Sequence, residues 1–417
     1  MPYAQSDAVV YTLGCKINDI ESRSIITALQ ESGYTVYEDF RPAALYVINT
    51  CAVTAEAERK SRQMASRARK FSPTAPILII GCSAIKSPKD FGRDNISVIT
   101  SQNKAEAVID YITGAKYACS GGTSDYPYEK HLPARTKTRQ FIKVQDGCDY
   151  FCSYCIVPYL RGRSRSRSVE SVIAEVKTSE AQEVVLSGIN LSDYGRHINA
   201  SLPELIKSVG ADIAARIRLG SLEARVITEE LLSAAKSVNF CPHFHLSLQS
   251  GSDTVLRAMN RKYTTADFYN KVLLIRKYFP DAGITADIIA GHPGETEECF
   301  QEALQFVKKC AFSDEHIFPY SVREGTTAAK MPQIPVPVRK TRAAILTAAA
   351  KESSLAFINL LTGKTFTMLA EREQDGYITG YTENYVKIYL TDRVPLNKLY
   401  KVRIGAPYKD GALGELN

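Results

Sequence analysis

FIKVQDGCDYFCSYCIVPYLRGRSRSRS, residues 141–168, decides how this chain is read. It opens with a short β-branched run, FIKVQ (141–145), and passes at once into Cys148, Cys152 and Cys155, spaced C-x3-C-x2-C. A structural zinc site wants four closed ligands, and this loop offers three. Three thiolates on a cubane of four irons leave one iron open, able to bind a small molecule and pass it an electron. The loop therefore reads as an iron–sulfur site with a vacant coordination position, against a minority zinc reading. Beyond it, Arg161, Arg163, Arg165 and Arg167 alternate. In an extended segment they would share one side, to grip phosphates or stack on bases, or simply form a solvated basic loop.

Downstream, strand-like runs recur with helix-like ones between them. The strands are FIKVQ (141–145), EVVLSG (183–188), IRLGS (217–221), HFHLSLQ (243–249), ITADIIAG (284–291) and HIFPYS (316–321). Helical periodicity fills 169–179, 202–213, 228–238, 266–278 and 296–309. Repetition of strand then helix gives a barrel, and six units rather than eight predict an open, partial (β/α)6 barrel. His243 and His245 flank one of its strands and read as core or rim residues.

Upstream, VVYTLG (9–14), LYVINT (45–50) and ILIIG (77–81) alternate with helical stretches at 20–31 and 56–70, the pattern of a parallel sheet. Each strand is followed at once by a cysteine: Cys15, Cys51 and Cys82. Ligand sites in open parallel sheets lie beyond the carboxyl ends of the strands, so the three thiols should converge there. A single such cysteine would be unremarkable core; three in equivalent places favour a ligand site. Cys119, Cys241, Cys299 and Cys310 have no ligand spacing.

Residues 119–139 are rich in Gly, Ser, Pro and charge and read as a linker. MPQIPVPVRK (331–340) is a proline-rich break before a helix at about 341–360. The last stretch, with TFTMLAE, YITGYT, YVKIYLT and LYKVRIGAPY, alternates like a small antiparallel sheet or barrel. The expected fold is α/β: an N-terminal parallel-sheet domain at 5–116, a partial barrel at 134–362 and a small C-terminal β domain at 363–417.

Composition sets limits. The 417 residues are 45% hydrophobic and 23% charged, as in ordinary folded proteins. No run approaches the ~20 apolar residues of a membrane span. The N-terminus lacks the features of a secretory signal, so a cytoplasmic location is expected, where thiols stay reduced. The net charge of +7 suits a polyanionic partner without identifying one.

The motifs TLGCKIN (12–18), VINTCAVT (47–54), RKSRQ (59–63), QDGCDYFCSYCIVP (145–158), RGRSRSRS (161–168), SLQSGSDTVLRAMNRKYT (247–264), ADIIAGHPGET (286–296) and FPYSVREGTTAAKMP (318–332) resemble the radical S-adenosylmethionine (SAM) methylthiotransferases. The resemblance runs along essentially the whole chain. It implies two [4Fe-4S] clusters, one on Cys148, Cys152 and Cys155 that binds and cleaves SAM, and one on Cys15, Cys51 and Cys82 that carries the sulfur. It implies SAM contacts from Tyr154, Ser187, Gly188, Asn190, Glu223, Gly291 and Pro293. It also implies a TRAM-like, RNA-binding C-terminal domain. The implied partners are a tRNA anticodon arm, a low-potential donor such as flavodoxin or ferredoxin, and a sulfur source, with no membrane.

TLGCKIN and NTCAVTAEAERKSRQ resemble the branch acting on N6-threonylcarbamoyladenosine at C2, next to the anticodon. GCSAI (81–85) and His292 depart from the usual pattern, at positions that could reshape the pocket. Two other readings stay open: the branch acting on N6-isopentenyladenosine, and a non-catalytic iron–sulfur or zinc RNA-binding protein.

Overall fold

The structure is a computed structural model that describes residues 6–92, 95–115 and 138–417. Cys119, nearly all of the linker read over 119–139, and the domain boundaries at 5, 116 and 134 lie outside the described residues.

Five strands form the first sheet: β1 (Asp7–Thr12), β2 (Thr35–Tyr37), β3 (Leu45–Thr50), β4 (Ile77–Gly81) and β5 (Ile96–Val98). Their order is β2-β1-β3-β4-β5 and every pairing is parallel. All residues of β3 and β4 are buried, as expected of β-branched strands covered on both faces. Helices α1 (Lys16–Glu31), α2 (Ala55–Phe71), α3 (Cys82–Lys86) and α4 (Lys104–Thr113) supply those covers. Helix α1 begins four residues before the predicted 20, directly on Cys15 as its N-cap.

The second unit holds β6 (Arg139–Asp146), a two-residue β7 (Arg165–Ser166), β8 (Glu183–Gly188), β9 (Arg216–Leu219), β10 (His243–Gln249), β11 (Gly283–Ala290) and β12 (Asp314–Pro319). They form a β7-β6-β8-β9 sheet and a β10-β11-β12 sheet, joined by the parallel bridges Ile217–Phe240 and Leu222–Leu246. Six parallel strands thus curve into a partial barrel, and β6 and β12 are its two edges, not paired with each other. Its helices are α5 (Val157–Arg161), α6 (Val169–Lys177), α7 (Leu202–Asp212), α8 (Glu229–Lys236), α9 (Asp253–Ala258), α10 (Thr265–Tyr278) and α11 (Glu297–Cys310). Ser168, Ser201, Thr228, Thr264 and Thr296 cap α6, α7, α8, α10 and α11 by accepting a backbone N–H, which fixes where each helix starts. Side chains at alternate strand positions, including Ile142, Val144, Phe244, Leu246, Ile284, Ala286 and Ile288, fill the core under the helices. The intervening positions face the lumen.

Helix α12 runs from Val336 to Leu361, five residues earlier than predicted. Pro335 and Pro337 do not delay it, because a first-turn proline lacks only an N–H the helix leaves unpaired anyway. By length and composition α12 could cross a membrane, but it packs along β11, β12 and α11 with Arg339 and Arg342 buried.

The chain ends in a closed five-stranded barrel of β13 (Thr365–Gln374), β14 (Tyr377–Thr382), β15 (Lys387–Leu390), β16 (Leu399–Tyr408) and β17 (Gly411–Leu416), ordered β13-β14-β15-β17-β16. Strand β17 was not predicted from GALGEL. Side chains there would collide: a Cβ on Gly411 would meet the carbonyl of Lys387, and one on Gly414 the side chain of Ile388. Glycine is what allows that close strand approach.

This small barrel closes the amino-terminal end of the large one. Buried Glu183 pairs with Arg139, with Arg216 (Nε–Oε2 2.7 Å) and with Arg218 (Nε–Oε1 2.9 Å). Arg216 also donates to the carbonyls of Thr367 and Tyr381, and Arg218 to those of Thr382 and Glu383. Burial opposes the charge of Glu183, yet Arg218, Arg216 and Arg139 hold its carboxyl well below the ordinary range.

Candidate active site

Cys15, Cys51 and Cys82 follow β1, β3 and β4, three adjacent strands, and sit together at their carboxyl edge. Gly14 (φ 103°) leaves room for the turn, since a Cβ there would lie 2.8 Å from Sγ of Cys51. Burial, with repulsion from Cys82 and Cys15, pushes the Cys51 thiol up to about 11. Cys51 and Cys82 are buried and Cys15 is exposed.

The second trio lies in the loop after β6. The Tyr150 backbone N–H and the Asn190 side chain approach Sγ of Cys148 at 3.4 and 3.7 Å. Arg261 reaches Sγ of Cys152 at 3.4 Å while pairing with Glu223 at 2.9 Å. Burial pushes Cys148 up to about 11 and Cys155 up to about 12. Two thiols that resist ionising, side by side in one loop, call for a compensating cationic centre.

The donor geometry indicates its size. Thiolates on one zinc ion stand about 3.8 Å apart, from a Zn–S bond of about 2.3 Å. Among the described residues, neither cysteine trio closes to within 4.8 Å. A trio in which at least one pair of thiols stands wider than that fits a polynuclear cluster better than one ion. The loops that carry the two trios meet in one apolar cluster: Cys82 shares it with Ala52, Leu160 and Ile156, and Ile156 directly follows Cys155.

The other expected SAM contacts fall in different surroundings. Ser187 and Gly188 end β8, and Asn190 lies just beyond, its N–H donated to Gln145 (2.7 Å). Glu223 follows β9 and holds both Arg225 and Arg261 at 2.9 Å. These four ring the mouth of the barrel beside Cys148. Tyr154 packs with Val255, Met259, Cys299 and Ile289, edge-on to His292. Gly291 (φ 75°) is pressed against Arg339, where a Cβ would lie 2.6 Å from its side chain, so packing against α12 already accounts for the glycine. Pro293 follows His292, which is fully buried and 3.0 Å from the Ser153 hydroxyl in the cysteine loop.

The arginine run is corrected by the structure. Alternation gives one face only on extended backbone, but Arg161 ends α5 and Gly162 (φ 74°) turns the chain. Arg161 points inward to Glu21 (2.8 Å), Asn18 (2.7 Å) and Asp146 (3.3 Å). Arg167 is buried against Glu175, and Arg165 lies 3.6 Å from Asp146. Only Arg163 faces solvent, its side chain 73% exposed, over the ring of Phe151 at 5.2 Å with Tyr159 beside it. Arg161 and Arg167 therefore have no guanidinium free to grip a phosphate, whereas Arg165 is largely enclosed with its Nε and Nη2 lacking a hydrogen-bond partner. Arg218 lies in the closed floor of the barrel.

Sequence reading missed the joint between the first two units. Glu21 of α1 meets Lys104 of α4, Lys143 of β6 (2.9 Å) and Arg161 of α5, all buried. Burial works against it, but Arg161, Lys104 and Lys143 hold Glu21 well below the carboxylate range. Burial likewise opposes Asp146, which Lys143 and Arg161 bring down to about 2. Arg323 reaches across to Glu58 (3.0 Å) and the Ala52 carbonyl (3.2 Å). Also missed is a lumen triad on three adjacent strands. Asp287 meets His245 at 3.1 Å and His316 at 3.5 Å, and Thr285 sits 2.7 Å from the other nitrogen of His245.

A parallel partial barrel with three thiols in its first loop is the architecture of the radical SAM superfamily, whose pattern matches residues 142–307. Residues 7–100 match uncharacterized protein family UPF0004. The chain is 36% identical to threonylcarbamoyladenosine tRNA methylthiotransferase MtaB of Thermotoga maritima, over 97% of this chain and 95% of that protein. Identity to the MtaB of Bacillus subtilis is 34% over 96% and 95%. A tRNA-2-methylthio-N(6)-dimethylallyladenosine synthase of Endomicrobium trichonymphae is 30% identical over 92% and 93%. Among solved structures, the cobalamin- and [4Fe-4S]-bound radical SAM methyltransferase TsrM of Kitasatospora setae shares the fold, with TM-score 0.57 and 15% identity over 78% of this chain and 77% of that one. The chain belongs to the radical SAM methylthiotransferase family.

Proposed function

We infer that this protein is a tRNA methylthiotransferase acting at C2 of N6-threonylcarbamoyladenosine, next to the anticodon. The observation that carries the reading is the placing of two separate three-thiol centres across one domain joint, Cys82 against the residue after Cys155. Greater identity to relatives named for threonylcarbamoyladenosine than to those named for dimethylallyladenosine supports the substrate.

With its clusters and SAM bound, such an enzyme obtains one-electron reduction and a sulfur-bearing iron, chemistry that side chains cannot supply. The protein's own groups hold and orient. Cys148, Cys152 and Cys155 would ligate one cluster, and Cys15, Cys51 and Cys82 the other. Arg261 and Asn190 lie against the barrel thiols and would stabilise their anionic form. Ser187, Gly188, Asn190 and Glu223 line the mouth where SAM would sit, with Tyr154, Gly291 and Pro293 behind them. The buried Glu21–Arg161–Asp146 joint fixes the distance between the two centres.

A low-potential donor such as flavodoxin or ferredoxin, and a separate sulfur source, complete the reaction, and the cytoplasm is where tRNA is met. For RNA contact the reading now rests on Arg163, Phe151 and Tyr159, an exposed cation and two rings beside the barrel loop, and on the C-terminal barrel. The test is mass spectrometry of tRNA nucleosides from cells with and without the gene. Loss of 2-methylthio-N6-threonylcarbamoyladenosine alone supports the reading, and loss of the isopentenyl product instead overturns the substrate.

A further inference from the structure

Most cations that line the joint and lumen are engaged. Arg139, Arg216 and Arg218 serve Glu183; Lys104, Lys143 and Arg161 serve Glu21; Arg225 and Arg261 serve Glu223. Lys16 is different. It is the first residue of α1, directly after Cys15, and solvent reaches it, though burial of its ammonium and then nearby Arg139 and Arg218 lower its pKa, against the weaker pull of Glu183 and Glu371. No described carboxylate pairs with it. Its ammonium lies 4.4 Å from the ring centroid of Phe141 on β6. Phe141 alternates with Ile142 of the core and so faces the lumen. His316 lies on the opposite edge strand, β12; Asp287 of β11 raises its pKa by accepting its hydrogen bond, and Lys16 pushes the other way. Lys16 thus crosses from the N-terminal domain into the gap between β6 and β12.

We propose that Lys16 is the specificity residue that pairs with the carboxylate of the threonylcarbamoyl group, with the His245–Asp287–His316 triad on the facing wall for its hydroxyl and urea. The proposal rests on the substrate reading above. C2, N1 and C6 are consecutive atoms on one edge of adenine, so the N6 substituent lies beside the carbon that is modified. A group that reads this substituent must stand close to the sulfur-bearing centre, and Lys16 is the neighbour of one of its three cysteines. A reachable ammonium backed by an aromatic ring and lacking a carboxylate suits an anion that arrives with the substrate.

The test is Lys16→Gln and Lys16→Arg in the full-length, cluster-loaded protein. The RNA probes are anticodon stem-loops carrying threonylcarbamoyladenosine, its neutral carboxamide, or isopentenyladenosine. The expected result for Lys16→Gln is a KM for the acid roughly 10- to 100-fold higher, the loss of one charge-assisted contact, with little change for the carboxamide. Lys16→Arg should restore much of the difference. Iron content and SAM cleavage without RNA should match the parent, which certifies the fold. An equal loss on acid and carboxamide, or no loss on either, overturns the proposal and leaves Lys16 as a packing residue. A parent enzyme active only on the isopentenyl stem-loop overturns the substrate reading instead, and the proposal with it.

Discussion

At the scale of single residues, the two thiol trios are separable by mutation because they stand in different domains. Replacing Cys148, Cys152 or Cys155 with Ala should leave about half of the iron and abolish SAM cleavage. Replacing Cys15, Cys51 or Cys82 should also leave about half, but with SAM cleavage intact and methylthio transfer lost. Iron analysis and product assay distinguish the two patterns. Arg161 was legible as a basic residue and misread as an RNA contact. Its partners Glu21 and Asn18 lie more than a hundred residues away, and no local pattern discloses such a pairing. Arg161→Ala takes one cation from buried Glu21 and Asp146, which keep Lys143, and should remove about 1.5–3 kcal/mol of stability, the worth of a charge-assisted hydrogen bond, measured by denaturant unfolding. Arg163→Ala has no such partner set. It should leave stability within ~0.5 kcal/mol and flatten the salt dependence of tRNA affinity.

At the scale of elements, the strands that carry cysteines were legible because each is a β-branched run ended by a turn, as in LYVINT before Cys51. The same logic failed where glycine builds the strand, in β17, and where a run of arginines met a glycine turn. The lumen triad was invisible because His245, Asp287 and His316 come from three separate strands, and sequence does not give their mutual register. Edge strand β12 carries a testable oddity on its outer face. Glu315 is buried with neither carboxylate oxygen hydrogen-bonded, and burial, then Asp314, pushes it up to about 8. A carboxyl raised on folding stays protonated in the native state while the unfolded chain ionises. Stability therefore falls as pH rises from the ordinary glutamate range to about 8, then levels off. Glu315→Gln should match the parent near pH 4 and exceed it in Tm above pH 8. Equal Tm values at both pH values would show that Glu315 titrates normally.

At the scale of the molecule, three units share two charged joints, and each joint limits what can be removed. The C-terminal barrel is more than an appended RNA module, because it provides the backbone carbonyls that satisfy Arg216 and Arg218. Deleting residues 363–417 should therefore destabilise the large barrel as well as weaken tRNA binding. A truncated chain with an unchanged unfolding transition would show that the floor is self-sufficient.

That floor also has a consequence for biosynthesis. Glu183, Arg216 and Arg218 leave the ribosome long before the segment that completes their hydrogen bonds, which for Arg216 and Arg218 lies 165 and 164 residues further along. The nascent barrel must wait with its base unsealed, held by strands that already pair. Closure is then a late step, and the interval before it is when chaperones have the most to bind.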